Sequence, residues 1–528
     1  MYDMIIKNGK LIDGTGNPGF HADLAIQNHR IAKIHRRIQQ DAKQVIDATG
    51  LIVTPGFIDS HSHGDLVLES MPESQHKLEQ GVTTEIAGMC GFSPAPLSIQ
   101  HYEAGMRAMT NLMPQGVSGD MQYLQTFGQY MDHITRLSLG TSMACFVGHN
   151  TIRIAVMGYD DRTPDALELE QMKAYVEDAM KAGALGLSMG LFYAPGVYTQ
   201  LNELIELCRV AARYGGLFSL HMRDEGEKLI QSVEEVLTIV RATGIKTVIS
   251  HHKAAGRPEK CWGLPKLSLE MIDQVNAEGY DVFIDQYPYI ASATVMNIYL
   301  PKEIHAAGFK EILRRLADQK ERRVIRETML GDESPDRFFA GVMISTSVSH
   351  PELNGMMLID AAKKMQMDTC ELYMDLLLHD ELTTGNISWR ISEEDVKRIM
   401  QHPRTMIGSD GLMYPGCTNC HPRAFGSFPR VLGYYVRELG VLTLEDAVRK
   451  MTSLPAMVYQ LDQKGLLRVG MDADITIFDA EQIIDQADFK NCFTRCDGLH
   501  YVIVDGEVVV KNAIYQGGLY GKMMRFGQ

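Results

Sequence analysis

Eight near-continuous apolar runs, at residues 51–58, 82–87, 142–147, 184–189, 217–221, 246–250, 281–285 and 404–409, constrain the fold of this chain more than any other feature. Runs rich in Val, Ile and Leu that do not alternate with polar residues suit strands buried on both faces, the condition inside a parallel sheet. Helix-like sequence follows them, as in "TPDALELEQMKAYVEDAMKAG", so the chain reads as successive βα units. Eight such units predict an α/β fold, a (β/α)8 TIM-like barrel over residues 55–460.

The ends of the chain read differently. "DMIIKNGKLIDGTGN", "ADLAIQNHRIAKI" and "QVIDATG" are short strands punctuated by Gly, Asn and Asp, and the same texture returns in "GLLRVGMDADITIFDAE" and "YVIVDGEVVV". Residues 1–54 and 461–528 are therefore expected to build one small β-sandwich from both termini. About 120 residues separate the seventh and eighth runs, more than one helix needs, so residues 286–403 are expected to form an insertion containing the strand-like "RFFAGVMISTSV". Its position at this face of a barrel predicts a lid.

Composition excludes some partners. Lys and Arg total 51 against 66 Asp and Glu, a net charge of −15, whereas nucleic acid or an anionic membrane surface demands a basic face. The opening Met1–Lys7 carries an early acid and reads as a first strand, not a signal peptide. The run from Leu137 to Val147 is too short for the ~20 residues of a membrane span. Nine cysteines, an odd number spread thinly, suit free thiols in a reducing compartment, so the expectation is a cytoplasmic protein; neither charge nor a β-sandwich fixes its symmetry, and a monomer or small homo-oligomer is expected.

Polar residues gather where the predicted strands end. His61 and His63 follow the first, Cys90 the second, His221 closes "LFSLH", His251 follows "TVIS" and Asp410 follows "TMIGS". On extended backbone His61 and His63 point the same way, so one strand end can offer two imidazoles to one ion. Six N, S and O groups at one face of a barrel, the face where such folds hold their active sites, predict a metal centre. Imidazole, thiolate and carboxylate together are a zinc-type donor set.

With those residues in place, the chain resembles the N-acyl-D-amino-acid deacylases (D-aminoacylases) of the amidohydrolase superfamily. The resemblance runs through "PGFIDSHSH", "GMCGFSPAP", "GALGLSMGLFYAPG", "LHMRDEGE", "ISHHKAAG", "DQYPY", "IGSDG" and "HPRAFGSFPR". Many relatives bridge two metals with a carboxylated lysine at the end of the fourth strand, but that stretch here reads Gly186-Leu187-Ser188-Met189-Gly190. In the deacylase branch a cysteine thiolate takes that place, which Cys90 matches. The likeness implies that Cys90, His221 and His251 hold one tight zinc. His61, His63 and Asp410, with Cys90 bridging, would form a second, weaker site.

Zinc lowers the pKa of a bound water to about 7, making hydroxide available to attack an amide carbonyl, and Asp410 is the expected general base and acid. Arg223 and Lys253 each follow a ligand by two positions and read as anchors for a substrate carboxylate, or else as partners of rim acids such as Asp224 and Glu225. By the resemblance, Lys253, Tyr193, Tyr289 and Ser292 contact the substrate, with Arg423 as a further candidate. The expected activity is hydrolysis of linear amides, N-acyl-D-amino acids giving a carboxylate and a free D-amino acid. Alternatives are a cyclic amidase of the hydantoinase or dihydroorotase kind, or a metal-stabilised barrel without catalysis. "CTNCH", Cys417 to His421, matches a haem-attachment string and half a zinc ribbon. Lacking an export signal and a second Cys pair at ribbon spacing, it reads as a loop near Asp410. His149 ends the third strand, with a supporting role beside the metal or a purely structural one both open; His76, His252 and His350 have no assigned role.

Overall fold

The computed structural model describes residues 1–112, 124–305 and 308–527. Eight parallel strands form the barrel: Phe57–Asp59, Val82–Ala87, Ser142–Cys145 continued by Val147–Gly148, Gly186–Gly190, Leu217–His221, Thr247–Ile249, Val282–Gln286 and Thr405–Ile407. The ring closes where Ser60 N–H donates to Ile407 O at 3.3 Å and Ser62 bridges Gly411 in parallel. The helices outside follow the sequence pattern. Ala166–Lys181 starts at Asp165, whose carboxylate accepts from Leu167 and Glu168 N–H while Glu168 answers as a capping box. It buries Met172, Val176, Ala179 and Met180 against the barrel core.

The first apolar run divides between two sheets. Ile52–Pro55 pairs antiparallel with Ile475–Phe478 in the terminal domain, and only Phe57–Asp59 enters the barrel. Gly56 is the joint: a β-carbon there would lie 2.2 Å from Thr83 Oγ1, so no side chain fits between the two sheets. Nine strands from both termini form the small domain and wrap a core that includes Ile6, Leu24, Val53, Ile475 and Ile503. Tyr2–Leu11 is its fork, pairing with Ala42–Asp47 along one stretch and with Ile52–Val53 at its end. The chain end departs from the expected sandwich. Gly521 and Met523 bridge Leu139 and Met143, so the tail covers the start of the third barrel strand.

The insertion contains a three-stranded antiparallel sheet, Ser292–Val295, Gly385–Ser388 and Val342–Thr346, the last within "RFFAGVMISTSV". Helices including Phe309–Ala317, Gln319–Leu330, Leu358–Met365 and Thr369–His379 share its own core of residues such as Leu316, Phe339 and Tyr373. Glu393–Gln401 packs instead on Leu264–Ala277 of the barrel and leads into the eighth strand. Among the described residues no helix is long and apolar enough to cross a membrane.

Candidate metal centre and active-site cavity

His61, His63, Cys90, His221, His251 and Asp410 meet at the ends of five strands, all buried. Cys90 Sγ lies 3.4 Å from His61 Nε2 and 3.3 Å from His251 Nε2. Asp410 Oδ1 stands 3.3 Å from His63 Nε2 and 3.7 Å from His61 Nε2. The His221 and His251 rings are 4.4 Å apart, centroid to centroid. Cys90, His251 and Asp410 all take left-handed backbone, with φ of +55°, +35° and +48°, a strained choice for residues other than glycine. Such strain persists only where surrounding bonds enforce it.

Carboxylates enforce it at His251 and beside Asp410. Asp285, next to last in the seventh strand, accepts the His251 N–H at 2.7 Å and holds His61 Nδ1 at 3.1 Å. Glu225 holds His251 Nδ1 at 2.9 Å and Lys253 Nζ at 2.5 Å. Asp59 accepts the N–H groups of His61 and Ser409 and the buried Lys77 ammonium, tying the first strand end to the eighth. A carboxylate on Nδ1 leaves Nε2 for a metal, the arrangement that commonly orients metal-ligating histidines. His221 Nδ1 is a buried ring nitrogen without a partner.

The electrostatics fit a metal. Burial opposes charge on the Cys90 thiol, but His251 and His61 outweigh it and hold the pKa well below the ordinary thiol value. Burial likewise opposes charge on Asp410, and Arg423 with His63 keeps it ionised, its pKa well below the carboxylate range. Four neighbouring imidazoles, a thiolate and a carboxylate suit zinc. The fourth strand leaves no room for a bridging lysine: a β-carbon on Gly190 would lie 2.0 Å from Cys90 O.

A cavity of about 890 Å³ opens from this cluster towards the insertion. Its walls include Tyr193, Lys253, Tyr287, Ser292 and Arg423, joined by Tyr299 and Trp389 from the insertion side.

The amidohydrolase family model matches residues 44–510. The chain belongs to the amidohydrolase family. It is 35% identical to a D-aminoacylase of Alcaligenes xylosoxydans xylosoxydans over 99% of this chain and 97% of that protein. An N-acyl-D-glutamate deacylase of the same organism is 36% identical over 97% and 94%. The crystal structure of N-acyl-D-glutamate deacylase from Bordetella bronchiseptica, complexed with zinc and a phosphonate mimic of the tetrahedral intermediate, superposes with a TM-score of 0.84. Identity is 34%, with 99% of each chain covered.

Two of the expected substrate contacts lie elsewhere in this amidohydrolase. Arg223 is turned away from the cavity: it grips Glu235 through two nitrogens, at 2.9 and 3.1 Å, and donates to Val197 O and Thr199 O. Tyr289 is buried behind the wall, its ring edge-on to His421 and under the Arg430 guanidinium. Tyr287 lines the cavity instead, with a buried hydroxyl that has no partner. Arg423 binds Asp410 Oδ2 at 2.8 Å, so it positions the carboxylate. His149 pairs with Glu203 at 2.8 Å, and Arg153 shares that carboxylate, a structural cluster behind the Cys90 loop. His76 and His252 are buried with pKa values pushed down by burial to about 3 and about 4, and His350 pairs with Glu352.

The sequence reading missed Asp59, Glu225 as a ligand support, Asp285 and Tyr287. Asp285 carried a signal, since it closes an apolar run as His221 does. Tyr287 carried one in its spacing, two residues beyond Asp285.

Proposed function

We propose that this amidohydrolase hydrolyses the amide bond of N-acyl-D-amino acids, releasing a carboxylate and the free D-amino acid. The supporting observation is the gathering of Cys90, His221, His251, His61, His63 and an ionised Asp410 at one end of the barrel, all but His61 lining the cavity. Cys90, His221 and His251 would hold the tight zinc, and His61, His63 and Asp410 the weaker one, with Cys90 between them. The zinc complex of the Bordetella relative supports that choice of metal. Zinc, when bound, acidifies a water towards neutral pKa and draws electrons from a carbonyl oxygen.

The chain's own groups supply the rest. Arg423 holds Asp410 Oδ2, leaving Oδ1 on the histidine side to take a proton and return it to the departing amine. The Lys253 ammonium stays charged: burial pushes its pKa down, but Glu225 and Tyr287 raise it overall, so it can anchor the substrate carboxylate. Tyr287 offers an unpartnered hydroxyl beside it, and Tyr193, edge-on to His221 at 4.9 Å, stands where a scissile carbonyl would lie. Ser292 extends the same wall. The insertion lines the cavity's outer side, which supports a lid role in which shortening its tip is expected to raise KM or lower kcat without removing zinc. All nine cysteines are free, which supports a reducing, cytoplasmic setting.

The test is amine release from paired N-acetyl-D- and N-acetyl-L-amino acids by zinc-loaded and chelated protein. Chelator-sensitive release from the D series is the expected result. Ring opening of hydantoins with silence from every linear pair would replace this reading with a cyclic amidase.

A further inference from the structure

Three thiols that the hydrolytic chemistry does not use lie together in the cavity wall. Cys417 and Cys420 stand on the loop between Asp410 and Arg423 and line the cavity, while Cys492 comes from 72 residues beyond Cys420. The Cys420 N–H donates to Cys492 Sγ at 3.2 Å, and Cys417 packs against the buried cluster of Cys420, Ala424 and Cys492. Cys417 Sγ donates to Asn419 O at 3.3 Å and Cys492 Sγ to Asn419 Oδ1 at 3.6 Å. Cys420 and Cys492 are buried and Cys417 is half-buried, the most accessible of the three. Among the described residues, these three sulfurs do not form a group close enough together to enclose a metal ion.

We propose that Cys417 and Cys420 form an oxidisable dithiol on the cavity wall, converted to a disulfide by hydroperoxides. The Cys417 thiolate attacks the peroxide O–O bond, becoming a sulfenic acid and expelling hydroxide. Cys420 sulfur then attacks the sulfenic sulfur, the S–O bond breaks, and the oxygen leaves as water with the Cys420 proton. Two thiols are oxidised by two electrons and one hydrogen peroxide becomes two waters; an alkyl hydroperoxide gives one water and one alcohol.

The electrostatics assist each role. Its contact with Cys420 holds Cys417 below the ordinary thiol pKa against burial, favouring the attacking thiolate. The contacts with Cys417 and Cys492, with burial added, push Cys420 well up, so it keeps its proton until it resolves the intermediate. Cys492 serves as the sulfur that accepts the Cys420 N–H and fixes its backbone. The disulfide would stiffen the loop that ends at Arg423, the residue gripping Asp410, so oxidation is expected to slow turnover several-fold; this consequence alone rests on the hydrolase reading.

Hydrogen peroxide added to the zinc-loaded protein, followed by alkylation and non-reducing peptide mapping, tests the site without reference to activity. The expected result is a Cys417–Cys420 linkage with the mass of two hydrogens lost, reversed by dithiothreitol and absent from both Cys417→Ser and Cys420→Ser. The proposal is overturned if both thiols remain alkylatable under peroxide, or if oxidation stops at Cys90. It is equally overturned if the as-isolated protein carries a metal shielding Cys417, Cys420 and Cys492 together.

Discussion

The ends of the fifth and sixth barrel strands carry the same pattern, a histidine followed two residues later by a cation, yet they send those cations in opposite directions. After His221 the chain carries Arg223 behind the wall, where Glu235 and two carbonyls satisfy its planar fork. After Ile249 the strand is over, and His251 at φ +35° turns the chain so that Lys253 reaches the cavity beside Glu225. Period-two alternation holds only while the strand lasts. Beyond it, the side chain goes where its charge finds a partner, and Glu235 and Glu225 make opposite offers.

The largest expected effect lies at the sixth strand end itself. His251→Ala removes a donor and the anchor of Glu225, so zinc content measured by atomic absorption should fall and hydrolysis should fall below detection. Asp410→Asn separates holding from proton transfer: the tight zinc on Cys90, His221 and His251 should remain while kcat drops by about 10²–10⁴-fold, the usual worth of general acid–base catalysis. Undiminished turnover would remove Asp410 from its role.

The two cations then split by kinetic parameter. Lys253→Ala should raise KM by roughly 10–100-fold, the equivalent of ~1.5–3 kcal/mol for a charge-assisted hydrogen bond, with zinc retained. Arg223→Ala should leave KM unchanged and cost about 1–3 kcal/mol of stability in denaturant titration, because it leaves Val197 O, Thr199 O and Glu235 unpaired. A KM effect from Arg223→Ala would erase the contrast between the two strand ends.

The smallest effect concerns pH. Lys253 has a raised pKa, so its charge is complete below its ordinary value and is lost only as pH climbs through the raised one. KM should therefore stay flat from neutral to mildly alkaline pH. Glu225→Gln removes the main raising partner and lets burial dominate, so KM should begin to climb at a lower pH than in the parent protein.

The barrel and its six-donor cluster were legible in the sequence because each donor terminates an apolar run, and run ends of a parallel barrel share one face. His61, His63, Cys90, His221, His251 and Asp410 needed only that rule. Asp59, Glu225 and Asp285 act by pairing across strands, through contacts that sequence spacing does not encode. Tyr289 and Tyr287 sit two residues apart beyond a strand end, where backbone turns decide which ring faces the cavity. Cys492 joins Cys417 and Cys420 only because the C-terminal segment returns over the barrel. The hydrophobic pattern, being local and periodic, thus determined the strands and the face; the direction of each charged side chain was decided by tertiary partners, because a buried charge settles where its counter-charge is.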